Sequence, residues 1–266
     1  MQDRFDAEEV ARYENETWSR CAKGYMDGFG ALVAEGIGPL LDVVKVSGGD
    51  RILDVGTGPG LVAARAAERG ANLIGIDVSE DMLAEARRLH PEIEFRAESA
   101  EALPFKDGEF DAIVGNFVLH HTGRPDKVLK EAFRVLRPGG RMGFTVWADP
   151  SKLEAFGLFF AAVEEHAGVA ELPHGPLFGV SDFAVYHAMA RDAGFRDSSV
   201  RELQIEWRMH TVDSFLAALR DWSNLETFPT DVRQAIENTV RARASAYQHG
   251  DGFTMPNPAI LMSAVK

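Results

Sequence analysis

Between residues 50 and 147 the apolar positions fall in short runs separated by stretches of helical spacing. The runs RILDV, ANLIGID, EIEFRA, FDAIVGN and RMGFTVW are rich in Val, Ile and Phe and are bounded by Gly, Asp or Pro, so they read as five strands. Between them, LVAARAAERG, SEDMLAEARRLH and DKVLKEAFRVLRPGG repeat apolar residues at helical intervals. Ser79 is the expected N-cap of the second helix, with Met82, Leu83, Ala86 and Leu89 on one face. The third carries Val128, Leu129, Ala132, Phe133 and Leu136, and Pro138-Gly139-Gly140 stops it. Strands that are apolar nearly throughout and alternate with helices predict a parallel sheet covered on both faces. The fold class is therefore α/β, doubly wound.

The flanks read differently. Residues 4–46 are helical in pattern, with Tyr13, Trp18, Tyr25 and Phe29 among charges. Residues 151–192 are helical again and rich in phenylalanine, with Phe156, Phe159, Phe160, Phe178 and Phe183. Beyond them, SSVRELQIEWRMH suggests a strand, TDVRQAIENTVRARASAYQ a helix and AILMSAVK a closing strand. The expected division is a lid over 1–46, a core over 47–150, a helical cap inserted after the fifth strand over 151–192, and the rest of the core sheet with C-terminal helices over 193–266. The phenylalanines either pack a helix on the sheet or line a pocket above its carboxyl edge, where ligands bind in such folds.

Composition narrows the function. Hydrophobic residues make up 45%, enough for a proper core. A net charge of -13 repels phosphate backbones, and no basic patch offsets it, so nucleic acid is not an expected partner. No apolar run approaches the roughly 20 residues of a membrane span, and MQDRFDAEEV lacks the apolar stretch of a secretory signal. Cys21 is the only cysteine, which rules out an internal disulfide and fits a reducing cytoplasm. His166, His174, His187 and His210 are scattered without zinc-ligand spacing, so no metal is expected.

The stretch ILDVGTGPG carries the chemistry. Gly56, Gly58 and Gly60 let the turn after the first strand curl tightly and bring main-chain N–H groups against a ligand. About 20 residues on, the second strand ends in Asp77, whose carboxylate can hold both ribose hydroxyls of a nucleoside. A dinucleotide turn requires G-x-G-x-x-G, but its third position is Leu61 here. G-x-G-x-G fits a ligand with a charged tail and no pyrophosphate, such as S-adenosylmethionine.

With these segments, ILDVGTGPG, LIGIDVSEDMLAEAR, AESAEALPFKDGEFDAIVGNFVLHH and EAFRVLRPGGRMGFTVW, the chain resembles the class I S-adenosylmethionine-dependent methyltransferases, in particular their ubiquinone-biosynthesis-like branch. The resemblance implies a Rossmann-like, seven-stranded, mostly parallel sheet. It also implies that Asp54, Gly56, Thr57, Gly58 and Gly60 hold the methionine end, Asp77 the ribose, and Val78 and Met82 the adenine face. Ala100 and Glu101 approach the adenine edge. Asn116 and Phe117 present a carbonyl to the ammonium, and Tyr25 closes over the carboxylate. Ser99 stands where the family usually has an aspartate, so it accepts from the adenine amino group without a charge.

Methyl displacement needs alignment and dryness, and a general base only where the acceptor must lose a proton. His120 or His121, just past the fourth strand, supplies that base, and Asp149 after the fifth strand is a candidate partner. Trp18, Phe29, Trp147, Phe159, His174 and Phe178 are the expected acceptor pocket. The leading function is methylation of a small, partly apolar or aromatic molecule on oxygen or carbon, in quinone-like or natural-product chemistry. The competing readings are a nicotinamide-dependent oxidoreductase and a catalytically silent S-adenosylmethionine-binding regulator.

Overall fold

The computed structural model describes residues 6–168 and 173–266. Residues 1–5 of the expected lid and 169–172 of the expected cap lie outside them. In chain order the elements are α1 (Ala7–Cys21), α2 (Tyr25–Gly28), α3 (Gly30–Val43), β1 (Arg51–Val55), α4 (Leu61–Glu68), β2 (Asn72–Asp77), α5 (Glu80–Leu89), β3 (Glu94–Ala97), β4 (Phe110–Gly115), α6 (Pro125–Val135) and β5 (Leu136–Trp147). They continue with α7 (Glu154–Ala167), α8 (Phe183–Asp192), β6 (Arg196–Leu203), β7 (Glu206–Met209), α9 (Val212–Ser223), α10 (Thr230–Ala244), β8 (Gln248–His249), β9 (Gly252–Pro256) and β10 (Ala259–Val265).

Seven strands form the main sheet in the order β3-β2-β1-β4-β5-β10-β6. The pairings from β3 to β5 are parallel, and β10 runs antiparallel to both neighbours. Alternation along β1 sends Ile52 into the core on one face and Leu53 into the core on the other, as a doubly covered sheet requires. The strand order reverses between β1 and β4, so the carboxyl ends of β1, β2 and β4 open a crevice at the switch point.

The cap departs from the sequence reading in two ways. First, SSVRELQIEWRMH is not one strand. β6 ends at Leu203, and Glu206–Met209 joins a second sheet of order β7-β9-β8. The pull is Trp207, fully buried against Phe29, Phe156 and Phe215, whose indole N–H donates to the Gly28 carbonyl at 3.2 Å. Burying about 150–250 Å² of one aromatic at about 25 cal/mol per Å² contributes about 4–6 kcal/mol, enough to steer one short segment. Residues 204–258 are thus a unit inserted between β6 and β10, rather than the end of the core.

Second, α8 belongs to the core and not to the cap. It packs on β6, with Tyr186 and Ala190 fully buried and the Tyr186 hydroxyl donating to the Val180 carbonyl at 2.7 Å. The helical cover is built instead from α1, α2 and α7 with α9 and α10 of the insertion. No helix among the described residues is long and apolar enough to cross a membrane.

Candidate active site

The glycine turn follows β1. Gly58 has a φ of 52°, a left-handed conformation that favours glycine, and a Cβ built there meets nothing within 4 Å. That empty face is on the wall of a cavity of about 990 Å³. Gly56 (φ 64°) also faces the cavity, but a Cβ on it would strike Val118 at 2.5 Å. Gly60 (φ 85°) does not reach the wall. Its absent Cβ makes room for His90 and Phe95, each 2.9 Å from where that atom would lie.

Asp77 ends β2 at the same wall. Its Oδ2 accepts the Gly58 N–H and its Oδ1 the Ser79 N–H, each at 2.9 Å. Each carboxylate oxygen keeps a lone pair beyond its N–H bond, so two hydroxyls of a ribose can still be received. Burial raises the Asp77 pKa, while the N–H groups of Ser79, Gly58 and Val78 pull it back. Val78 beside it is 54% exposed, a bare apolar face on the cavity, with Met82 buried behind. Carboxylate, glycine cradle and apolar face are the groups by which a nucleoside is recognised at such a turn.

The rim opposite carries Glu98, Ser99, Ala100 and Glu101. The strand β3 has ended at Ala97, so strict alternation no longer turns Glu98 away from Ser99, and both line the cavity. The Ser99 hydroxyl accepts the Glu101 N–H at 3.2 Å. Glu101 itself is held by the Arg124 guanidinium and backbone N–H, each at 3.1 Å.

At the end of β4, Phe117 has a φ of 56°, which costs a non-glycine residue about 1–2 kcal/mol. The strain is held in place. The Phe117 N–H donates to the Thr145 hydroxyl at 2.8 Å, and its ring stacks on Trp147 with centroids 3.9 Å apart. The Asn116 amide is pinned as well, donating to the Val33 carbonyl at 2.9 Å and accepting from Thr145 at 2.7 Å. Backbone strain over-determined by its surroundings in this way is found most often at functional sites.

The two histidines separate. His120 is 3% exposed and neither ring nitrogen has a hydrogen-bond partner among the described residues. Burial, reinforced by His121, holds its pKa well below 6.5, so it stays neutral. His121 instead has its Nδ1 at 3.0 Å from Oε2 of Glu14. The Trp18 indole N–H donates to that same oxygen at 3.0 Å. Trp18 packs edge-on against His121, Tyr25 and Phe29. Tyr25 lines the cavity, and burial together with the Asp77 charge pushes its phenol pKa up.

Several expected site residues stand elsewhere. Asp54 is fully buried and away from the wall, its Oδ2 accepting the Thr57 hydroxyl at 2.6 Å. Burial raises its pKa to about 7, against the pull of Thr57 and the Ala63 N–H. Its Oδ1 has no well-formed hydrogen bond, so the Ala63 N–H favours the charge without completing one. Asp54 and Thr57 brace the turn from beneath. Asp149 caps the short turn after β5, accepting from the Ser151 N–H and hydroxyl at 2.9 and 2.7 Å, and faces a separate hollow. Those bonds lower its pKa, and it does not partner either histidine. Phe159 is 1% exposed and packs in the core, because α7 presents Phe156 and Phe160, one turn apart, to the cavity. His174 does not line the cavity, but rests against Phe178, which does. Trp18, Phe29, Trp147 and Phe178 are on the wall.

Sequence reasoning passed over Glu14, Val118 and Trp222, all on the wall. The Glu14-to-Trp18 spacing of one helical turn was visible, but nothing in the sequence tied it to His121. Trp222 sits on α9 of the unforeseen insertion.

Residues 53–144 match the model of a methyltransferase domain family. The demethylmenaquinone methyltransferase of Renibacterium salmoninarum is 35% identical over 48% of this chain and 52% of its own length. The ubiquinone/menaquinone biosynthesis C-methyltransferase of Roseobacter denitrificans is 29% identical over 62% of this chain and 74% of its own. Against the first three curated relatives the chain spans about half of their length. Among solved structures, the phosphoethanolamine N-methyltransferase 2 of Haemonchus contortus, in complex with phosphomonomethylethanolamine and S-adenosylhomocysteine, shares the fold. Its TM-score is 0.55 at 20% identity, over 93% of this chain and 59% of that one. The nicotinamide and regulatory readings find no support in these matches. In its glycine turn, its sheet order and its matched segment of residues 53–144, this chain is similar to the methyltransferase domain family.

Proposed function

We propose that this protein transfers a methyl group from S-adenosylmethionine to a small, partly apolar aromatic acceptor, on oxygen or ring carbon. The observation that carries this reading is one cavity that holds both the Gly58–Asp77 cradle and an aromatic chamber. That chamber is formed by Trp18, Phe29, Trp147, Phe156, Phe160 and Trp222. Its volume of about 990 Å³ stands at the upper end of the range of about 300–1,000 Å³ for small-ligand pockets, so two ligands fit side by side. The curated relatives named for demethylmenaquinone and for ubiquinone/menaquinone C-methylation support a quinone-like ring.

When bound, S-adenosylmethionine supplies a methyl carbon on a positively charged sulfur, already activated for displacement. The chain's own residues do the rest. Asp77 and the bare face of Gly58 fix the nucleoside, Val78 and Met82 cover the adenine, and Ser99 accepts from its amino group. The Asn116–Phe117 turn and Tyr25 fix the charged tail. The aromatic walls hold a flat ring and exclude water, which keeps the acceptor aligned for in-line attack. His121 takes the proton from a ring hydroxyl. The resulting oxyanion makes either the oxygen or a carbon of the ring nucleophilic. On carbon, the C–H proton then moves to the ring oxygen and restores the aromatic hydroxyl, so one base serves both outcomes. His120, neutral and without a hydrogen-bond partner among the described residues, offers a hydrogen bond to a second polar atom of the acceptor.

The test is a panel of phenols, naphthols and hydroquinones incubated with S-adenosylmethionine and analysed by mass spectrometry. A product heavier by one methyl group, lost in Asp77→Ala, supports the reading. Methylation of amines alone, with no ring acceptor used, would overturn it.

A further inference from the structure

The Glu14–His121 contact joins two parts of the fold far apart in sequence. His121 is on the short turn after β4, while Glu14 is on α1, outside the sheet. Both side chains are mostly withdrawn from solvent, at 20% and 13% exposure. A single oxygen, Glu14 Oε2, faces His121 Nδ1 and the Trp18 N–H, each at 3.0 Å. A carboxylate only accepts, and the Trp18 N–H only donates, so Nδ1 must carry a hydrogen for this arrangement to hold. A neutral imidazole has one N–H and one lone pair. With the hydrogen on Nδ1, the lone pair is on Nε2.

The position of α1 is set at both ends. Near its start, Gly123 lets the chain after the histidine turn lie so close to Ala7 that a Cβ would come within 2.7 Å. Toward its end, the Ser19 and Ser79 hydroxyls meet at 2.9 Å, and Ser79 caps α5 on the cofactor side. Arg20 donates to the carbonyls of Asp221 and Trp222 on α9. These contacts place Glu14 opposite His121 when α1 is docked, and no described residue of the sheet makes that contact in its stead.

We propose that Glu14 is the positioning residue of this site: it holds His121 as the Nδ1–H tautomer, with the Nε2 lone pair available to an acceptor, only while α1 is docked. What the lone pair is used for rests on the methyltransferase reading, but the pairing does not. A base completed by a helix of the cover ties proton removal to closure, so an open site would hold cofactor without activating an acceptor.

The experiment is long-range 1H–15N correlation of the histidine rings in the full chain, with His121 assigned from its disappearance in His121→Asn. In the wild-type protein, His121 should be the Nδ1–H tautomer. Glu14→Leu removes the acceptor and should change the tautomer ratio by about tenfold or more toward Nε2–H. Glu14→Gln keeps an acceptor oxygen and should retain the wild-type pattern. An Nε2–H wild-type ring, or an unchanged ring in Glu14→Leu, would overturn the proposal, and the wild-type spectrum decides even where a variant folds poorly. Calorimetry with S-adenosylhomocysteine on the same wild-type sample reads the functional assignment separately. No binding beside an intact Nδ1–H tautomer would remove the methyltransferase reading and leave the pairing standing.

Discussion

The Asp54→Asn substitution removes a buried charge while keeping the shape that braces the glycine turn. The wild-type carboxyl has its pKa raised by burial to about 7 from 3.8. A folded-state pKa above the unfolded one means that the native chain holds the proton more tightly. Stability from this group is therefore full below the unfolded value and is lost as pH rises through the folded one. At about 1.4 kcal/mol per unit, the whole shift corresponds to about 4 kcal/mol, of which about 2.5 kcal/mol falls between about pH 5 and about pH 8. The substituted amide cannot ionise and can still accept from the Thr57 hydroxyl through its oxygen. Equilibrium unfolding in urea, run on both proteins at the two pH values, isolates the difference. The variant should gain on the wild type by about 2–3 kcal/mol from the lower to the higher pH. A difference that does not change with pH would refute a buried, neutralised Asp54. A gain at the lower pH would reverse the sign of the argument.

Asp77→Asn should weaken S-adenosylhomocysteine binding by about 10- to 150-fold, the equivalent of a charged hydrogen bond of about 1.5–3 kcal/mol, as read by calorimetry. Gly58→Ala puts a methyl into the empty face of the cradle at a φ of 52°, so it should lower cofactor affinity and cost about 1–2 kcal/mol of stability in denaturant. Phe159→Ala should cost about 3–5 kcal/mol of stability as a core truncation, whereas Phe160→Ala, on the cavity wall, should leave the melting temperature close to wild type and change acceptor selectivity in the methylation screen.

The core was legible because its signals are local. Gly, Asp and Pro bound each apolar run, and the glycines of 56–60 and Asp77 declare a strand–turn–helix and a following strand end without tertiary information. The cap was not, because its signals are relational. The break at Gln204 and Ile205 has no glycine or proline, and only the burial of Trp207 beneath α2 redirects the chain there. Phe156, Phe159 and Phe160 are equivalent as letters, and the rotation of α7 decides which two meet the cavity. Asp149 follows the strand where a partner was expected, but Ser151 claims its carboxylate. Glu14 reads as one more charge on an amphipathic helix until the histidine turn arrives opposite it.

The central claim is that the Gly58–Asp77 cradle holds the nucleoside of S-adenosylmethionine. The most direct measurement is a calorimetric titration of the wild-type chain with S-adenosylhomocysteine, repeated with NAD. The account expects saturable binding of S-adenosylhomocysteine and none of NAD. Binding of NAD with no heat from S-adenosylhomocysteine would contradict it.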